Sequence, residues 1–94
     1  MSITIKIPDF LREAADNKSE IVCNGSTVGE VLYEAVCKHP KLKTLFFDKN
    51  NQLDPFNPFV SIYRNQTHIG LLQGGETETK SGDEIHIVHI IGGG

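Results

Sequence analysis

Ninety-four residues with an apolar fraction of 38% make one domain with a single modest core. A net charge of −3 and no basic run argue against nucleic acid or an anionic membrane as the partner. No apolar stretch approaches 18 residues and no signal-peptide pattern follows Met1, so a cytoplasmic protein is expected.

From the start of the chain, Ile3, Ile5 and Ile7 alternate with polar residues, the period of a half-buried strand, and Pro8 closes it. Residues 10–17 read as a polar connection with a helical turn. A second strand is expected over 19–23, with Ile21 and Cys23 inward. Asn24-Gly25 is a turn pair, and Ser26 and Thr27 after it point to a helix start. Thr27 has a capping-box partner in Glu30, expected to reach back to the amide of the cap itself. Val28, Val31, Leu32, Ala35 and Val36 then form one apolar stripe, and His39-Pro40 ends the helix. This is a one-faced helix laid on a sheet.

Beyond it, residues 41–47 suit a short second helix presenting Leu42, Leu45 and Phe46 to the core edge. Residues 48–58 are a loop broken by Asp54-Pro55 and Asn57-Pro58. Residues 59–63 read as a third strand with Val60 and Ile62 inward, and residues 67–72 as a short edge strand after the turn at 64–66. Gly74-Gly75 and Gly82-Asp83 are turns around the charged stretch 76–81. The final strand, 84–91, is almost continuously apolar apart from two histidines, which suits a central position. Strand, strand, helix, strand, short strand, strand predicts an α+β fold: a β-grasp, with a mixed sheet of four to five strands, one main helix across it and the last strand beside the first. The domain is expected over 1–91 and a tail over 92–94.

That tail is Gly92-Gly93-Gly94. At a background of roughly 7% glycine per position, three in a row at one terminus arise by chance in about one chain in three thousand. A side-chain-free arm directly after a central strand presents its α-carboxylate without hindrance.

Thr27-Val28-Gly29-Glu30-Val31, Phe59-Val60-Ser61-Ile62-Tyr63, Gly82-Asp83-Glu84 and the terminal glycines together resemble the ubiquitin-like sulfur carriers, the ThiS/MoaD group. The chain is most similar to the branch that supplies sulfur for cysteine or methionine synthesis. The resemblance implies a protein co-substrate and not an enzyme. Its C-terminal carboxylate is adenylated by an activating enzyme that uses ATP, then converted to a thiocarboxylate. It implies that Gly93-Gly94 are the terminal diglycine, that Gly94 holds the sulfur, and that Gly92 stands where a small residue such as alanine is frequent. The implied partners are an E1-like adenylating and sulfur-transferring enzyme, a sulfur-acceptor synthase and, where Gly94 is left by trimming, a C-terminal protease. No cofactor is expected to stay bound. Thr77-Glu78-Thr79-Lys80 is more polar than the corresponding family segment.

Other constellations carry less. His86 and His89 point to opposite faces of one strand and cannot chelate one metal from it, so no metal site is expected. His89 is expected near the sheet's end, hydrogen-bonded or half-exposed. Cys23 and Cys37 form no CxxC pair and read as reduced, mostly buried, inert thiols, too few for an iron–sulfur cluster. His86, Val88 and Ile90 share the face away from the helix with Phe59, Ser61 and Tyr63; Phe59, Tyr63, His86, Val88 and Ile90 are therefore expected to dock a partner. An activated glycine terminus serves equally a ubiquitin-like modifier that forms isopeptide bonds, and a plain β-grasp interaction module would need no terminal chemistry at all.

Overall fold

A computed structural model describes residues 2–90; Ile91 and the glycines Gly92, Gly93 and Gly94, with the chemistry expected of them, lie outside the described residues. Five strands form one mixed sheet: β1 (Ser2–Lys6), β2 (Glu20–Asn24), β3 (Val60–Arg64), β4 (Thr67–His68) and β5 (Glu84–His89), in the order β2-β1-β5-β3-β4. β1 is antiparallel to β2 and parallel to β5, and β5 is antiparallel to β3. The last strand thus sits in the middle, as its apolar character predicts, and the sheet is a β-grasp.

Helix α1 (Val28–Lys38) crosses this sheet and buries the predicted stripe of Val28, Val31, Leu32, Ala35 and Val36. Its stripe meets Ile3, Ile5, Ile21, Cys23, Val60, Ile62, Ile85 and Ile87, the inward residues of four strands. Alternation with a period of two in the strands and of 3.6 in the helix therefore meets in one core. Thr27 caps α1 by accepting the Glu30 amide at 3.2 Å. The other half of the box is shifted: the Glu30 carboxylate accepts the amide of Ser26, at 2.9 Å, and not that of Thr27. Thr27 is instead bridged to Glu78, so the loop before β5 occupies the space beside the cap.

Two further differences from expectation stand out. The edge strand predicted over 67–72 lasts only two residues. The His68 imidazole accepts the Gly70 amide at 2.8 Å, turning the chain into a 3-10 turn that drives Ile69 fully into the core. The second helix is divided into a 3-10 turn at Pro40–Leu42 and the short α2 (Lys43–Phe46), which still bury Leu42 and Phe46 and half-bury Leu45. The charged stretch 76–81 packs against the rest of the fold. Thr77 and Thr79 are buried while Glu78 and Lys80 face out. Thr77 Oγ1 accepts the Gln73 amide at 3.0 Å, and Thr79 Oγ1 donates to the Gly25 carbonyl at 2.7 Å. Threonine hydroxyls here satisfy backbone groups that an apolar residue would leave unpaired.

Gly29 has a packing reason for its place inside a helix, where glycine costs up to about 1 kcal/mol. A Cβ there would stand 3.0 Å from the Gly75 carbonyl oxygen, so α1 and the 74–76 turn approach as closely as they do because neither has a side chain between them.

Candidate functional site

The site begins with what holds β5. At its start, Gly82 turns at φ +91, a conformation that glycine adopts freely, and brings Asp83 against the β3–β4 turn. One Asp83 carboxylate oxygen accepts from Arg64 Nε at 2.9 Å and from the Lys80 amide at 2.8 Å; the other accepts from the Asn65 side-chain amide at 3.2 Å. The Asn65 backbone amide donates to the Glu84 carbonyl at 2.7 Å, and the Glu84 amide donates to Asn65 Oδ1 at 2.9 Å. On the other flank the Thr4 amide donates to the Asp83 carbonyl. Burial alone would push the Asp83 carboxyl up, but the hydrogen bonds from Lys80, Asn65 and Arg64 outweigh it and hold the group below the ordinary carboxylate range. The Gly-Asp-Glu motif is therefore a latch that pins β5 between its two neighbours.

From that latch β5 runs to its other end, and its two faces differ. Ile85 and Ile87 face the helix and are buried. His86, Val88 and Ile90 face away, as the alternation predicts. Tyr63 lies directly opposite His86 and Ser61 opposite Val88, while the Ile90 amide donates to the Phe59 carbonyl at 3.0 Å. All five residues expected to dock a partner thus fall on one face of two adjacent strands. Phe59 is 63% exposed, Val88 45% and Ile90 39%, whereas Tyr63 and His86 are half-buried. Toward the far end of this face Lys6 forms an ion pair with Glu20, and His86 Nε2 lies 2.9 Å from Glu84 Oε1. The apolar end of the face is the end nearest the tail.

His89 is exposed, with its ring stacked on Phe10 at a centroid distance of 4.0 Å and an interplanar angle of 22°. Phe10 belongs to the 3-10 turn Asp9–Leu11 and carries an aromatic ring 41% exposed beside the end of β5. Reading 10–17 as a polar connection overlooked it; the signal was a bulky aromatic directly after a strand-closing Pro8-Asp9. A second aromatic set also escaped the sequence: His68 packs edge-on to Tyr63, centroids 5.3 Å apart, and Phe56 stacks on His68 at 6.0 Å.

The thiols separate. Cys23 is fully buried and its thiol is pushed up to about 11, chiefly by burial, with Lys38 pulling the other way and Glu34 adding to the rise. Cys37 is exposed on the outer side of α1, which corrects the expectation that both thiols are mostly buried. Among the described residues there is no group of three or more His, Cys, Asp or Glu arranged to hold a metal ion, and no helix long and apolar enough to cross a membrane.

A β-grasp sheet with its last strand at the centre is the fold the resemblance to ubiquitin-like sulfur carriers implies. Residues 5–94 match the ThiS family, and the chain belongs to it, among the ThiS/MoaD-type sulfur carriers. Over 38 residues it is 45% identical to an Archaeoglobus fulgidus protein provisionally named a sulfur carrier protein; the match covers 40% of this chain and 43% of that relative. Among solved structures, small archaeal modifier protein 1 (SAMP1) of Methanosarcina acetivorans is 32% identical, with 99% of this chain and 96% of that one covered and a TM-score of 0.82. The structure described as an Amycolatopsis orientalis BexX/CysO complex matches with 27% identity, a TM-score of 0.83 and 98% and 99% coverage. CysO of Mycobacterium tuberculosis, 23% identical with a TM-score of 0.82 over 95% and 99% of the two chains, is similar in fold.

Proposed function

We propose that this protein is a protein co-substrate that carries sulfur as a thiocarboxylate on Gly94 for a biosynthetic acceptor, with cysteine or methionine formation the favoured pathway. The observation that carries the reading is the family match extending through Gly93 and Gly94, the residues that follow the central strand. Likeness to a CysO chain solved in a complex supports a partner that binds such a carrier, and the favoured branch rests on the same likeness.

A carboxylate is a poor electrophile, so the reaction needs two displacements. A Gly94 carboxylate oxygen attacks the α-phosphorus of ATP; the P–O bond to the β-phosphate breaks and pyrophosphate leaves. A hydrosulfide donor then attacks the acyl carbon of the resulting adenylate, the C–O bond to AMP breaks, and the thioacid loses its proton to water. Glycine offers no Cβ to obstruct either attack. The E1-like partner supplies the ATP site and the sulfur relay, the acceptor synthase takes the loaded terminus, and a protease is required only if the terminus is first trimmed. This chain contributes the arm, the latch that fixes the strand before it and the apolar face of Phe59, Tyr63, His86, Val88 and Ile90.

That face gives a direct test. Val88 is 45% exposed opposite a serine, so Val88→Asp leaves the core intact but puts a charge into an apolar contact. Its affinity for the activating enzyme should fall about tenfold or more, as for loss of a buried interface anchor, with an unchanged melting temperature. Equal affinity would remove the face from the reading.

A second reading has its own support. The chain is 32% identical to a protein named a modifier, and the same adenylate could be captured by a lysine amine to give an isopeptide. Lysine-linked conjugates in its native cell, with no sulfur at Gly94, would favour it.

A further inference from the structure

Pairing between β1 and β5 stops at Lys6 opposite His86. Pro8 has no amide hydrogen to extend the ladder, and the chain then leaves the sheet in the 3-10 turn Asp9–Leu11. Val88 and His89 therefore run past the end of β1, with β3 alone beside them. Past the end of β1, the Phe10 ring stacks on that of His89, nearly parallel and 4.0 Å away. The Ile90 amide donates to the Phe59 carbonyl. Val88 to Ile90 are the last described residues of the central strand's run, and this is where a strand would otherwise fray.

We propose that Phe10 is a positioning residue: by stacking on His89 it stands in for the missing β1 partner and holds His89 and Ile90, the last residues of the described chain, in place. Phe10 acts through His89 and touches no reacting group. Its exposure argues for the role. A ring kept only for the core would sit deeper, and Leu11 beside it, 4% exposed, already fills that place. The consequence for chemistry, which rests on the carrier reading, is that a short arm reaches a distant active site productively only from a fixed root. A misdirected root costs reaction rate more than binding.

Amide hydrogen exchange on the whole chain tests this without any partner. In Phe10→Ala, exchange at the Ile90 amide should quicken about tenfold, the loss of one stack of roughly 1 kcal/mol or a little more. The amides of Ile5, Ile62 and Ile85 should keep their rates, and Phe10→Tyr should restore protection while Phe10→Leu restores it poorly. Unchanged protection at Ile90 would overturn the proposal, and so would faster exchange throughout the sheet, which would assign Phe10 to the core. A second measurement uses the adenylating enzyme of its own cell, read by pyrophosphate exchange. Phe10→Ala should lower kcat with KM little changed; a rise in KM alone would make Phe10 a docking contact and overturn the positioning role. If the wild-type chain is not adenylated, the carrier reading fails while the hydrogen-exchange result still decides the role of Phe10.

Discussion

Asp83 shows how much one side chain in a turn carries. It is only 12% exposed, and its carboxylate accepts from Arg64, Lys80 and Asn65 at once. Asp83→Ala should cost about 2–4 kcal/mol, since it leaves a partly buried guanidinium and a backbone amide without their acceptor; chemical denaturation measures it. Because the folded-state carboxyl is held below its unfolded value, its contribution is complete above a pH of about 4 and fades as pH falls through the folded pKa. Asp83→Asn should therefore flatten the acid limb of the stability curve, and a limb as steep as that of the wild type would place the acid sensitivity elsewhere. The cysteines offer a simpler residue-scale check. With Cys23 buried and its thiol pushed up to about 11, and Cys37 exposed, one thiol per native chain should react quickly with a disulfide reagent and the second only on unfolding. Two fast thiols would contradict the burial of Cys23.

Helix α1 does two jobs at the scale of an element. It covers the sheet, and its Glu34 and Lys38 reach over to the open edge of β2. The Asn24 amide donates to Glu34 Oε2 at 2.5 Å, and Lys38 Nζ donates to the Val22 carbonyl at 3.2 Å. An edge strand with free amides and carbonyls is a template for pairing with another chain, and charged side chains on those groups block it. Replacing both residues by alanine should leave the monomer folded but raise self-association at high concentration, measured by sedimentation; a strictly monomeric double variant would show that the edge is protected otherwise. At the start of the same helix, Thr27→Ala should cost about 1 kcal/mol, the usual value of a threonine cap. These elements also show where sequence was sufficient. The stripe of α1 and the alternation of β1, β2, β3 and β5 were legible because each repeats one simple period over five or more residues. The shortened β4 and the buried Thr77 and Thr79 were not, because a side chain accepting a backbone amide set each path, as His68 does for Gly70 and Thr77 for Gln73; nor was the division of the helix at 40–46.

On the scale of the whole molecule, topology puts the strand that precedes the terminal glycines in sequence at the centre of the sheet. Placing the last strand between β1 and β3 gives it neighbours on both flanks at its start, while at its end the Phe10 ring stacks on His89. The shared outward face of Phe59, Tyr63, His86, Val88 and Ile90 followed from parity alone once the two strands were paired. The Phe10 stack did not, because nothing in a linear reading brings residue 10 to residue 89. The chemistry proposed for Gly94 rests on family membership and on the terminal glycines of the sequence, and it can be read directly. Mass spectrometry of the protein from its native cell, intact and as a C-terminal fragment, is the most direct test. The account predicts a fraction whose mass gain equals one oxygen-to-sulfur exchange, localised to Gly94 and distinct from oxidation of Met1 or a cysteine. A plain carboxylate on Gly94 in every molecule, under conditions where sulfur demand is high, would contradict it.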